Sequence, residues 1–131
     1  MIVVDSSALV AVLLEDDDAP RFASVLLAEP LAMSAFTLFE ARTVLWRSRD
    51  PTLVEDLEDL VGETAIGVYP FDERASERAF AAYRTFGKGT HPAKLNLGDC
   101  ASYALAKSLD APLLYKGGDF AQTDVRSALA P

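Results

Sequence analysis

Cysteine, histidine and tryptophan each occur once in this chain of 131 residues, and 12 lysines and arginines face 20 aspartates and glutamates. A lone cysteine forbids an internal disulfide and fits a reducing cytoplasm. With one histidine and one cysteine there is little to hold zinc. The net charge of −8 argues against a protein that grips nucleic acid through a broad basic surface. The longest purely apolar run, Ala8 to Leu14, falls far short of the roughly 18 residues that suggest a membrane span. The first residues carry no basic region and no cleavage signature, so a secretory signal is not expected.

What is present fits one soluble domain: 50% of residues are hydrophobic and 24% charged, and no repeat, low-complexity segment or linker divides residues 1–131. The opening "MIVV" reads as a strand covered on both faces, with Ser6 or Ser7 able to cap the helix that follows. "EDDDAP" is a solvated turn, where Asp18 caps and Pro20 starts a helix ending near Glu29. "LAMS" predicts a second strand leading into "AFTLFEARTVLWRSRD", a helix with Phe36, Phe39, Val44 and Trp46 expected on its buried side. In "TLVEDLEDLVGE", Leu53, Leu57, Leu60 and Val61 share one face and the acids the other. "AIGVYP" gives a third strand, and "FDERASERAFAAYRTF" a helix turning Ala75, Ala79, Ala82 and Phe86 inward. The loop "GKGTHPAKLNLG" leads to the helix "DCASYALAKSLD", the strand "PLLYK" and the turn "GGDF". Strands alternating with helices predict an α/β fold with a central parallel sheet.

In such a sheet the working crevice lies at the carboxyl ends of the strands. Asp5 ends the first strand, Glu40 lies in the helix after the second, Asp99 opens the helix after "NLG", and Asp119 follows the last strand. Four acids from separate segments can therefore converge on one mouth, and like charges so placed demand a positive partner. Oxygen-only ligation selects Mg²⁺ or Mn²⁺, which can orient a water and stabilise charge on a phosphodiester.

Taken together, "VVDSSALV", the Phe39–Glu40 pair, "LNLGDCASYALAK" and "LLYKGGDFAQTD" resemble the PIN-domain nucleases, and more closely the VapC toxins of bacterial toxin–antitoxin pairs. The resemblance spans essentially the whole chain. It implies a PIN-like three-layer fold, metal-dependent cleavage of RNA, a homodimer, and a cognate antitoxin whose C-terminal segment orders on binding. It assigns metal binding to Asp5 and Asp99, with Glu40 and Asp119 completing the catalytic pocket, Asn96 supporting it, and Asp124 either assisting or capping the final turn.

Each residue also has a plain structural reading. Asp5 could cap a helix, Asp99 could be a first-turn helix acid, Glu40 could pair on the surface with Thr43 or Arg47, and Asp119 could stabilise its turn. Cys100 reads as a small buried residue and His91 as a loop residue without a catalytic role. No acid lies between Ala79 and Gly98 while Arg84, Lys88 and Lys94 do, which is either a phosphate-contacting rim or a mobile solvated loop. Haloacid-dehalogenase phosphatases and receiver domains also begin with a strand ending in Asp, but each needs a further acid that "VVDSS" lacks. A non-catalytic binding module that keeps the pocket is the remaining competitor. Apolar surface at Val10, Leu13, Leu14 and the Ala79–Phe86 helix is the expected dimer face, and a groove between the Thr52–Glu63 helix and Trp46, Val12 and Leu13 the expected antitoxin seat.

Overall fold

The computed structural model describes residues 1–129. Strands β1 (Ile2–Val4), β2 (Leu31–Ser34), β3 (Gly67–Tyr69) and β4 (Leu113–Leu114) form one parallel sheet in the order β3-β2-β1-β4. Six helices connect them: α1 (Ser6–Leu13) and α2 (Ala19–Ala28) between β1 and β2, α3 (Ala35–Trp46) and α4 (Leu53–Thr64) before β3, and α5 (Glu73–Phe86) and α6 (Leu97–Ser108) before β4. A short 3₁₀ turn, Phe120–Gln122, follows β4.

Alternation along the central strands sorts the apolar residues into two cores. Ile2, Val4, Leu31, Met33 and Leu114 pack with Leu9, Phe22, Leu26, Leu38 and Leu57 from helices α1 to α4. On the opposite face Val3, Ala32 and Leu113 meet Ala79 and Ala82 of α5 and Cys100 and Ala104 of α6. The result is three layers, helices on both faces of the sheet, as the α/β reading anticipates. The chain winds from β1 out to β3 on one side and then returns to place β4 on the other side of β1. The crevice of this fold therefore opens where Asp5 leaves β1 and the Lys116–Asp119 loop leaves β4.

Several local expectations need correction. In α3 the buried residues are Thr37, Leu38, Ala41 and Leu45, whereas Phe39 and Trp46 are 61% and 67% exposed. The helix is apolar on nearly all sides, so periodicity could not choose a face; the smaller set at 38, 41 and 45 fits against the sheet and the bulky aromatics are left outside. Helix α1 is capped by Asp5 itself, whose carboxylate accepts from the Ser7 N–H, and not by Ser6 or Ser7. Asp18 stands at the head of α2 without a side-chain capping bond. Helix α6 begins at Leu97, two residues before Asp99, because Asn96 takes the cap. The loop before α6 is tied down: the Lys88 N–H donates to the Leu95 carbonyl and the Leu95 N–H to the Phe86 carbonyl at the end of α5, and His91 Nδ1 accepts from the Ala93 N–H at 3.0 Å. None of the helices is long and apolar enough to cross a membrane among the described residues.

Candidate active site

Asp5 is only 2% exposed, an unusual place for a carboxylate, and the structure shows how it is satisfied. Its Oδ2 accepts from the Ser7 amide at 3.1 Å and the Ser7 hydroxyl at 2.6 Å; its Oδ1 accepts from the Ser102 hydroxyl at 2.6 Å. Each hydroxyl is itself backed by another donor. The Lys116 backbone N–H donates to Ser7 Oγ at 3.0 Å, and Thr37 Oγ1 lies 3.1 Å from Ser102 Oγ. Ser102 has a single proton and spends it on Asp5, so Thr37 is the donor to Ser102. Two chains of hydrogen bonds thus end on one carboxylate, each polarised towards it. A carboxylate offers about four lone-pair positions and three are taken, leaving acceptor capacity on Oδ1.

Glu40 projects from α3 towards the same mouth. Ser6 donates to its Oε1 at 2.7 Å, while Thr43 bonds only the Glu40 backbone carbonyl, so the surface pairing with Thr43 or Arg47 does not form. Burial raises the Glu40 carboxyl above its usual range; the Ser6 bond opposes this and the Asp5 charge adds to it.

Asp99 and Asn96 form a reciprocal capping box at the start of α6: the Asp99 N–H donates to Asn96 Oδ1 at 2.8 Å, and Asp99 Oδ2 accepts from the Asn96 N–H at 3.0 Å. The Asp99 carboxyl is pushed up to about 6, chiefly by burial; the Asn96 bond pulls it down, while Asp5, Glu40 and Asp119 push it up. The other three acids singled out in the sequence are therefore all felt at Asp99. Asp119 is exposed at the head of the 3₁₀ turn, and its side chain makes no capping bond there.

Asp124 is placed differently. It accepts from the Tyr103 hydroxyl and from Lys107 Nζ at 3.2 Å, which lowers its pKa and joins the end of the chain to the outer turns of α6. It is not among the charges that raise Asp99. Cys100 is buried and its thiol is pushed up to about 11 by burial and by Asp99, which removes it as a nucleophile.

Ser6, Ser7, Thr37, Gly98 and Ser102 are the site residues that sequence reasoning passed over. The only signals for Ser102 and Thr37 are their three-residue spacings from Asp99 and Glu40, which put them on the same helical faces.

The donor set suits a hard divalent cation: it is oxygen throughout, and the upward shifts of Glu40 and Asp99 are those that a positive charge would relieve. Among the described residues no three acidic, histidine or cysteine side chains already stand at ion-holding spacing. Two carboxylates, Asp5 and Asp99, with water completing the shell, match what Mg²⁺ accepts better than a closed protein cage does.

Residues 2–126 match the PIN-domain family model. Ribonuclease VapC28 of Mycobacterium tuberculosis is 45% identical over 129 residues, covering 97% of this chain and 97% of its own. In shape the chain is similar to the crystal structure of VapC20 from the same organism, a sarcin-ricin loop cleaving toxin, with a TM-score of 0.80 at 17% identity over 95% of this chain and 96% of that one. It is also similar to a chain of a toxin–antitoxin complex from Klebsiella pneumoniae, with a TM-score of 0.70 at 18% identity over 95% of this chain and 93% of that one.

Proposed function

The chain belongs to the PIN-domain family, among its VapC ribonucleases, and from that premise we propose that it is the toxin of a type II toxin–antitoxin pair, an endoribonuclease dependent on Mg²⁺ or Mn²⁺. The observation that carries the reading is the convergence of Asp5, Glu40, Asp99 and Asp119 at the carboxyl end of the sheet, each close enough to be felt by Asp99.

Asp5 and Asp99 would hold the cation. Bound there, it would orient an attacking water and offset the charge that develops on the phosphodiester. The chain's own residues do the rest. Ser7 and Ser102 fix the Asp5 carboxylate from two sides, so that it needs no reorganisation when substrate arrives. Asn96 does the same for Asp99. Glu40, with Oε1 held by Ser6 and its proton affinity raised by burial, is suited to accept a proton at Oε2. Asp119, exposed on the rim, completes the negative mouth. The products are 5′-phosphate and 3′-hydroxyl ends.

The cytoplasm is the setting that the lone reduced cysteine favours. A cognate antitoxin would hold such an enzyme in check, and the toxin–antitoxin complex among the structural neighbours supports that partner. Of the groove expected from sequence, only the Trp46 side stays open. Leu57 is fully buried in the first core, and Leu53, Leu60, Val12 and Leu13 pack against that core. One open apolar surface lies on the outside of α3 and α4, where Phe39, Thr43, Trp46 and Val54 line a groove of about 430 Å³ flanked by Arg42 and Arg47.

The test is to induce the protein without its neighbouring short reading frame and sequence the new RNA 5′ ends. Cleavage at defined positions that vanishes with Asp5→Asn, with Asp99→Asn and in excess chelator supports the proposal. Undiminished cleavage by either variant, or in chelator, overturns it.

A further inference from the structure

Gly98 is the second residue of α6, buried, and helical in backbone conformation. It is not among the glycines of positive φ, so its backbone would accept any ordinary residue, and alanine is the better helix former. Its lack of a side chain needs another cause. A Cβ at this position would lie 2.2 Å from Glu40 Oε2 and 2.4 Å from both Glu40 Oε1 and Cδ, the three nearest atoms. The Glu40 carboxylate thus rests directly on the first turn of α6, in the space a methyl group would fill, with Ser6 gripping it from α1 at 2.7 Å.

We propose that Gly98 is a positioning residue: by leaving that space empty it lets the Glu40 carboxylate cross from α3 to lie beside Asp99, and so completes the acidic site. The inference rests on the reading of Glu40 as part of the active site. Its distinctive consequence is a separation of stability from activity. The three atoms nearest a methyl group at residue 98 all belong to the end of a long side chain and none to the backbone, so the fold is expected to be kept. The Glu40 carboxylate, however, must leave Ser6 and swing away from the mouth. Displacement of a reacting group by about 1 Å costs roughly 100-fold in rate.

The experiment is a double-mutant cycle of Gly98→Ala and Glu40→Ala, read by Mn²⁺-supported RNA cleavage and by thermal melting of the metal-free proteins. Gly98→Ala is expected to melt no lower than the parent while kcat falls about 100-fold. Glu40→Ala should lose activity similarly, and the double variant should be no worse than either single one. In melting, Gly98→Ala should raise the midpoint more in the Glu40→Ala background, where the space is free, than in the parent. Full cleavage by Gly98→Ala, additive losses in the double variant, or a lower midpoint for Gly98→Ala would each overturn the positioning role. Full cleavage by Glu40→Ala would instead overturn the reading of Glu40 on which it rests.

Discussion

At the scale of single residues, the acids were legible in the sequence and their supports were not. Asp5 stands out because a carboxylate interrupts a buried apolar run, and Asp99 because it follows a helix-start signature. Ser102 is 97 positions from the carboxylate it serves, and no local rule announces that contact. Its loss has a calculable consequence. Ser102→Ala removes a donor from Asp5 and leaves the buried Thr37 hydroxyl without its acceptor, which costs about 1–3 kcal/mol. Ser102→Thr restores the hydroxyl and should recover part of the loss. Mn²⁺ affinity, measured by electron paramagnetic resonance, should fall in Ser102→Ala because a freed Asp5 carboxylate must be ordered again on binding. An unchanged affinity would separate the relay from the metal site.

The shift of Asp99 gives a second residue-scale prediction. Its folded pKa of about 6 exceeds the ordinary value of 3.8, so between these limits the folded protein holds more protons than the unfolded chain. Stability of the metal-free protein should therefore rise as pH falls through 6 towards 4, and decline as pH rises back through that window. Because the group is partly open to solvent, about 1 kcal/mol is the expected size. Melting curves across this range should show the slope in the parent and a smaller one in Asp99→Asn, which keeps the acceptor for the Asn96 N–H; the remainder belongs to Glu40, whose carboxyl burial also raises. Saturating Mn²⁺ should reverse the slope, since proton and cation compete for one carboxylate. A slope undiminished by Asp99→Asn would assign it to another group.

At the scale of elements, type and order were readable because each has a strong local cause. β-Branched runs make β1, Asn96 and Asp99 make the start of α6, and acids on one face with leucines on the other make α4. Helix α3 defeated the same method. Both of its sides are apolar, and only packing against the sheet decides that Leu38, Ala41 and Leu45 go in while Phe39 and Trp46 stay out. Exposed aromatics of this size on a small domain mark a surface that something covers. Phe39→Asp and Trp46→Asp should therefore leave melting nearly unchanged, within about 0.5 kcal/mol, and abolish copurification with the antitoxin. Leu57→Asp should unfold the protein, because it places a charge in the first core. Retained copurification in both aromatic variants would move the antitoxin to another face.

At the scale of the whole molecule, the sequence showed an α/β alternation but not which apolar residues would remain uncovered. Val10, Leu13 and Leu14, read from sequence as surplus, pack against the first core, and Ala79 and Ala82 of α5 face the second. Phe80, within the Ala79–Phe86 stretch, does stay open, and Leu97 joins it. Phe80 and Leu97 are 60% and 68% exposed, and with Phe36, Phe71 and Tyr83 they line a hollow of about 450 Å³ immediately beside Cys100 and hence beside Asp99. The Arg84 guanidinium lies 5.4 Å over the Phe80 ring and covers only one of its faces. A chain of net charge −8 repels its own copies at long range, so self-association must come from contact at an apolar patch of this kind. Pairing about a two-fold axis through this hollow would bury both copies of Phe80 and Leu97. Light scattering at micromolar concentration should report a dimer for the parent and a monomer of unchanged melting point for Phe80→Glu or Leu97→Glu. Salt should strengthen the dimer by screening the like charges. A monomeric parent, or a dimer untouched by both substitutions, would remove the hollow as the interface.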